Sequence, residues 1–303
     1  MGLFCAHHHK KVKEEKTFHK SFAVGVALNS VFVVIEIIFG FMSHSLALLA
    51  DAIHNFGDVL ALLLAWFGYH LAFQKPNQRF TYGMGRVSIF ATLFNGASLV
   101  VTSAWIVWEA YLRLQDPIMP DNKVVAVVAT IGIAVNAITG MFLFRGKEDV
   151  NIKGAMVHMF ADAAISAGVV VTAALMAWLG WLWLDPAISS LIAIVILVTS
   201  WPILREGFFL SMDAVPNMID RKAVQEYFDK HPDVLKVHDL HIWGLSTIKT
   251  ALSAHVEIKE DLSHESALRS LHRGLKSRFG ITHVTIQVEH SHRYCTDEHE
   301  LKE

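Results

Sequence analysis

The pattern His-x-x-x-Asp occurs twice, from His54 to Asp58 and from His158 to Asp162, each time inside a long apolar stretch. A spacing of four sets both side chains on one face of a helix, about one turn apart. An ionised Asp in hydrocarbon costs about 2.5–3.5 kcal/mol on insertion scales. Carrying that cost twice, beside two imidazoles, calls for a compensating partner. Two neutral imidazoles and two carboxylates make a tetrahedral ligand set for a divalent metal, zinc first. The plainer role, polar contact between helices, usually falls to Ser, Thr, Asn or Gln and is worth only about 0.6 kcal/mol. A duplicated His/Asp pair points instead to a metal or proton site.

The elements that must hold these residues are membrane helices. The chain has 303 residues, 53% of them hydrophobic, with a mean hydropathy of +0.40. The apolar excess lies between about Phe22 and Leu204. Six stretches reach the 20 or so apolar residues of a span: about 22–42, 47–73, 86–113, 123–145, 150–180 and 184–205. The second and fifth carry the His/Asp pairs and are expected at the centre of the bundle. The first-to-second link, Ser43-His44-Ser45, has no Lys or Arg, nor does Trp181–Pro186 between the fifth and sixth. Lys75, Arg79 and Arg86 lie between the second and third helices, and Arg145, Lys147 and Lys153 between the fourth and fifth. The positive-inside rule puts those loops and both termini in the cytoplasm. The lysines before the first helix resemble a signal peptide only superficially, because the apolar run continues to about Met42 without a small-residue cleavage site.

The expected division is a His-rich cytoplasmic tail over 1–21, a six-helix domain over 22–212, an α+β domain over 213–290 and a tail over 291–303. In the third part, Asn217–Lys230 reads as an amphipathic helix, and Val234–Trp243 and Lys249–Ile258 as half-buried strands. Ser263–Phe279 reads as a second helix with Ser263 as N-cap, and His283–Glu289 as a third strand. About 90 residues bury only a modest core, which favours dimerisation. A formal net charge of −2 argues against nucleic acid as a partner. Cys5 and Cys295, near opposite ends, make no disulfide framework.

Among other polar residues, Asp51 lies one turn before His54, as a partner orienting it, as part of the entry path or as a boundary group. Glu36, Glu109 and His70 read as interfacial or snorkelling groups, and Asn29, Asn95 and Asn136 as interhelical hydrogen-bonding groups. The α+β part holds His238, His241, His255, His264, His283, His290 and His292. His241 and His255 on adjacent strands, with Glu289 on a third, are the set expected to converge on a zinc ion. Cys5 with His7-His8-His9, and Cys295 with His299, are further His/Cys tracts.

Several of these segments resemble the cation diffusion facilitator transporters: Ser45–His54 continuing to Asp58, Phe80–Arg86, Ala155–Asp162, His241-Ile242-Trp243 and Ser253–Val256. The resemblance runs from about His19 to Glu289 and is nearest the zinc-transporting branch. It implies a homodimeric exporter with six transmembrane helices and a ferredoxin- or metallochaperone-like cytoplasmic domain. By the same resemblance it moves Zn2+, and Cd2+ or Co2+, out of the cytosol against protons; the short loops and tails point to a bacterial inner membrane. His54, Asp58, His158 and Asp162 match the transport site, and His241, His255 and Glu289 a cytoplasmic zinc site. Ser88 stands where many members carry Glu, and no His-rich insert lies between the fourth and fifth helices.

Metal binding needs neutral His and ionised Asp, so metal and protons compete for the same groups. Alternating access would turn that competition into proton/zinc antiport. Two His ligands favour zinc or cadmium over magnesium and calcium, which take oxygen shells. A membrane metalloenzyme would want His-Glu-x-x-His and an open metal position, and the pattern is absent. A metal sensor remains as the rival, and it predicts binding without flux.

Overall fold

The computed structural model describes residues 26–72, 76–144, 150–259 and 263–289. The tracts around Cys5, His7–His9 and Cys295, and His290 and His292, lie outside them. Six helices come first: α1 (Val26–Met42), α2 (Leu46–Ala72), α3 (Val87–Gln115), α4 (Asn122–Phe144), α5 (Val150–Leu179) and α6 (Leu184–Ser211). Among the described residues, four helical segments are long and apolar enough to cross a membrane: Val87–Gln115, Asn122–Met141, His158–Leu179 and Leu184–Ser211. The helix α1 is shorter and apolar. At 27 residues, α2 interrupts its apolar run with Asp51, His54 and Asp58.

The boundaries have local causes. His44 adopts a left-handed backbone (φ 55) and turns the chain between α1 and α2. The Ser45 hydroxyl accepts from the Leu48 N–H. Asp185 of α6 then completes the cap, accepting from the Leu46 N–H at 2.9 Å, the Ala47 N–H at 3.2 Å and the Ser45 hydroxyl at 2.7 Å. Arg113, at the end of α3, donates to the His44 carbonyl and lies 3.6 Å from Asp185. Asp121 caps α4 by accepting from the Lys123 and Val124 N–H groups. The helix α6 contains Pro202 and runs on to Ser211, past the expected end near 205.

The chain divides into two compact units, one of residues up to Leu63 with Asn95–Pro202, the other of Leu64–Phe94 with the residues from Ile203 on. In the first, Ala47 and Ala50 of α2 pack with Val169 and Ala173 of α5 and with Leu99, Ile106, Ala129 and Ala193. Small residues let the backbones approach closely. Gly57 is the tightest of these places, for a Cβ there would stand 2.4 Å from Leu99 Cδ2.

In the second unit, α7 (Arg221–Asp229) precedes β1 (Val234–Gly244) and β2 (Thr250–Ile258), and α8 (His264–Phe279) precedes β3 (His283–Glu289). The sheet order is β1-β2-β3, with β1 antiparallel and β3 parallel to β2. Joining parallel neighbours requires a crossover, and α8 supplies it. Leu252, Ala254, Val256 and Ile258 of β2 face Val224 and Phe228 of α7 and Leu271 and Leu275 of α8 in one core. The alternate residues Ser253, His255 and Glu257 take the other face. The helix α7 starts later than the expected Asn217, because Asp220 is the N-cap and accepts from the Lys222 N–H at 2.8 Å. Ser263 occupies the expected N-cap of α8, yet its hydroxyl makes no capping bond. Gly280 ends α8 in the left-handed region at φ 69. The start of α3 belongs with this unit: Ser88 Oγ accepts from the Thr247 N–H at 3.1 Å.

Candidate metal centres

The periodicity of α2 turns His54 and Asp58 to one side, and that of α5 does the same for His158 and Asp162. The two helices bring these faces together. His54 Nε2 lies 3.1 Å from Asp162 Oδ1 and 3.8 Å from Asp58 Oδ2. His158 Nε2 lies 3.0 Å from Asp58 Oδ2 and 3.8 Å from Asp162 Oδ2. Each imidazole therefore sits between the two carboxylates, and one ligand atom from each residue falls within 4.8 Å of all the others. Four ligands about 2.1 Å from a tetrahedral ion stand about 3.4 Å apart, within the 3.0–3.8 Å range of the four His–Asp separations. Asp162 is 1% exposed and the His158 side chain 45%, so the cluster is closed at one edge and open at the other. Among the described residues only imidazoles pair with the two carboxylates, so the negative charge has no fixed cation to cancel it.

Of the neighbouring polar residues, Glu36 and Asn136 differ from the sequence reading. Asp51 is fully buried and accepts from Ser166 Oγ of α5 at 2.7 Å. Glu36 is not an interfacial group: it is fully buried in the middle of α1, and its Oε2 accepts from Asn55 Nδ2 at 3.0 Å. Glu109 lies 3.8 Å from Arg113. Asn29 does reach across helices, to Met159 Sδ at 3.9 Å. Asn136 is buried with neither side-chain amide atom bonded, so it does not tie helices together among the described residues.

On the open face of the sheet, the structure gathers His238, His255 and Glu289, with one ligand atom from each within 4.8 Å of the others. His238 Nε2 is 3.1 Å from Glu289 Oε2, and His255 Nδ1 is 3.1 Å from Glu289 Oε1. The expected trio had His241 in place of His238, and the structure does not bring His241 into the group. The cause is a bulge in β1. Register shifts between His238 and His241, and Asp239 takes a left-handed backbone at φ 52. His238 therefore stands opposite His255, and His241 opposite Ser253. His241 is exposed and pairs with Asp239 at 2.7 Å. Two imidazoles and a carboxylate fit a zinc ion by donor type, with a fourth position left over. His283 instead packs edge-on against Tyr82.

Comparison with known proteins covers both parts of the chain. Residues 22–210 match the cation efflux transmembrane domain, and residues 216–291 the cytoplasmic domain of cation efflux proteins. The metal cation efflux system protein CzcD of Cupriavidus metallidurans is 34% identical over 291 residues, covering 95% of this chain and 90% of that protein. The cadmium, cobalt and zinc/H(+)-K(+) antiporter of Bacillus velezensis is 34% identical over 270 residues, 86% of each chain. The zinc transporter ZitB of Escherichia coli is 30% identical over 281 residues, 92% of this chain and 89% of that one.

Proposed function

Because the chain belongs to the cation efflux family, we propose that it is a proton-coupled antiporter exporting Zn2+, with Cd2+ and Co2+ as further substrates, from the cytosol. It is an integral membrane protein and a transporter by family, not an enzyme. The observation that carries the reading is the convergence of His54, Asp58, His158 and Asp162 from two facing helices, with one ligand atom from each within 4.8 Å of the others. Zinc is cargo there. A divalent ion would cancel both carboxylate charges, and its departure leaves acceptors that protons can fill. Export by alternating access follows if α2 and α5 expose these groups to one side and then the other.

The rest of the proposal is architectural. Helices α1 and α2 complete six spans with the four apolar helices above, and both termini face the cytoplasm. The transmembrane part runs over 22–212 and the cytoplasmic α+β domain over 213–290. His238, His255 and Glu289 would hold a zinc ion in that domain, and two copies of the chain work together as a homodimer. The bacterial relatives support an inner-membrane location.

Zinc flux into proteoliposomes under an imposed pH gradient tests the proposal. Gradient-driven flux that disappears in Asp162→Ala is the expected result. Tight zinc binding without flux, in sealed vesicles with a measured gradient, would overturn the exporter and leave the sensor.

A further inference from the structure

A second set of buried acids lies on α1 and α2 and takes no part in the metal cluster. Glu36 of α1 and Asp51 of α2 are both fully buried. Each has a single neutral donor, Asn55 Nδ2 to Glu36 Oε2 at 3.0 Å and Ser166 Oγ to Asp51 Oδ2 at 2.7 Å. The remaining oxygens, Glu36 Oε1 and Asp51 Oδ1, are buried with no hydrogen-bond partner. Asp51 and Asn55 stand one turn apart on the same face of α2, so the bond from Asn55 sets the Glu36 carboxyl beside that of Asp51.

Ionised carboxylates only accept hydrogen bonds, so two facing carboxylate oxygens cannot satisfy one another. Neither acid pairs with a Lys or Arg among the described residues, and a buried carboxylate left uncompensated costs several kcal/mol. One proton resolves both problems. Placed on either acid, it bridges the two orphan oxygens and removes one of the two charges. His54, one turn from Asp51 on α2, and Asp162, one turn from Ser166 on α5, are the ionisable groups that face the pair from the packed helices.

We propose that Glu36 and Asp51 share one exchangeable proton, at a site separate from the metal ligands, which is released and rebound once in each transport cycle. The cycle part rests on the function proposed above; the sharing of the proton does not. The step is a simple ionisation, carboxylic acid to carboxylate with the proton passing to water, and needs no other reactant. Three helices hold the pair, two of them also holding the metal ligands, so a shift of α2 against α5 alters both sites together.

The test has two arms, both on the full chain. Infrared difference spectra in lipid nanodiscs, without and with zinc, should show a protonated carboxyl C=O band that falls when zinc is added. Glu36→Gln and, separately, Asp51→Asn should each shift it, and the two together should remove it. In proteoliposomes, the double substitution should lower the number of protons moved per zinc by about one. A band that the double substitution leaves in place, one that zinc leaves unchanged, an unaltered proton-to-zinc ratio, or a metal ion bound by the pair would overturn the proposal. If the unsubstituted chain moves no zinc, the export reading fails, and the zinc-free band still decides whether the proton is shared.

Discussion

Replacing Asp162 with Asn isolates charge from size at the intramembrane centre. When zinc occupies it, two carboxylates cancel one divalent ion and the imidazoles are neutral. Asp162→Asn leaves that loaded centre with one uncancelled positive charge. Asp162 is 1% exposed, so solvent does little to screen it. A charge at the centre of a membrane helix costs about 2.5–3.5 kcal/mol, which converts to a loss of zinc affinity of about 70–370-fold. Asp58, at 33% exposed, should lose less on the same change. Competition against a chromophoric chelator, with the full chain in nanodiscs and His255→Ala in the background to silence the cytoplasmic centre, measures both. Unchanged affinity in Asp162→Asn would refute the charge reasoning. A larger loss in Asp58→Asn would show that burial does not set the effect.

Within the cytoplasmic domain, His238→Ala should lower the zinc bound per chain, whereas His241→Ala should leave it unchanged in metal analysis after dialysis; the reverse would restore the trio read from the sequence. Asp185→Ala removes the cap of α2 and strips Arg113 of its nearest carboxylate. Breaking so buried a pair costs about 3–5 kcal/mol, seen as a lower melting temperature in detergent, with Asp185→Asn losing less. Partial burial pushes the Tyr227 phenol above its ordinary value, against the opposing pull of Arg278. Its stabilising contribution is therefore intact below about pH 10 and fades as pH rises through the raised value. Alkaline absorbance titration of the chain against Tyr227→Phe should show a late-titrating phenol, and removing the charge with Arg278→Ala should move it later still.

The intramembrane cluster was legible because a helix repeats strictly: four residues return a side chain to its face, and two such pairs in apolar runs have few other uses. The strands of the small domain were legible for the parallel reason, a period of two. Where one extra residue enters, that count breaks. Asp239 bulges out of β1, so the alternation reaching His241 from Trp243 fails to predict which His faces His255. Glu36 escaped for another reason. A helix apolar nearly all round does not declare which side meets its neighbours, and only packing shows Phe32, Val33 and Glu36 turned inward while Val31, Val34 and Ile38 are exposed. The late start of α7 was open to a closer reading, since Asp220 before Arg221-Lys222-Ala223 is an ordinary N-cap.

The tie between Asp185, Arg113 and the first turn of α2 fixes one end of a rod. By the rise of an α-helix, Asp58 stands about 18 Å along that rod from Leu46. Tilting α2 by about 10° about its anchored end would swing Asp58 sideways by about 3 Å. That displacement equals the 3.0 Å separating Asp58 from His158. The fastening at one end thus gives the four clustered side chains leverage, so that a slight rocking of a helix is enough to pull them apart.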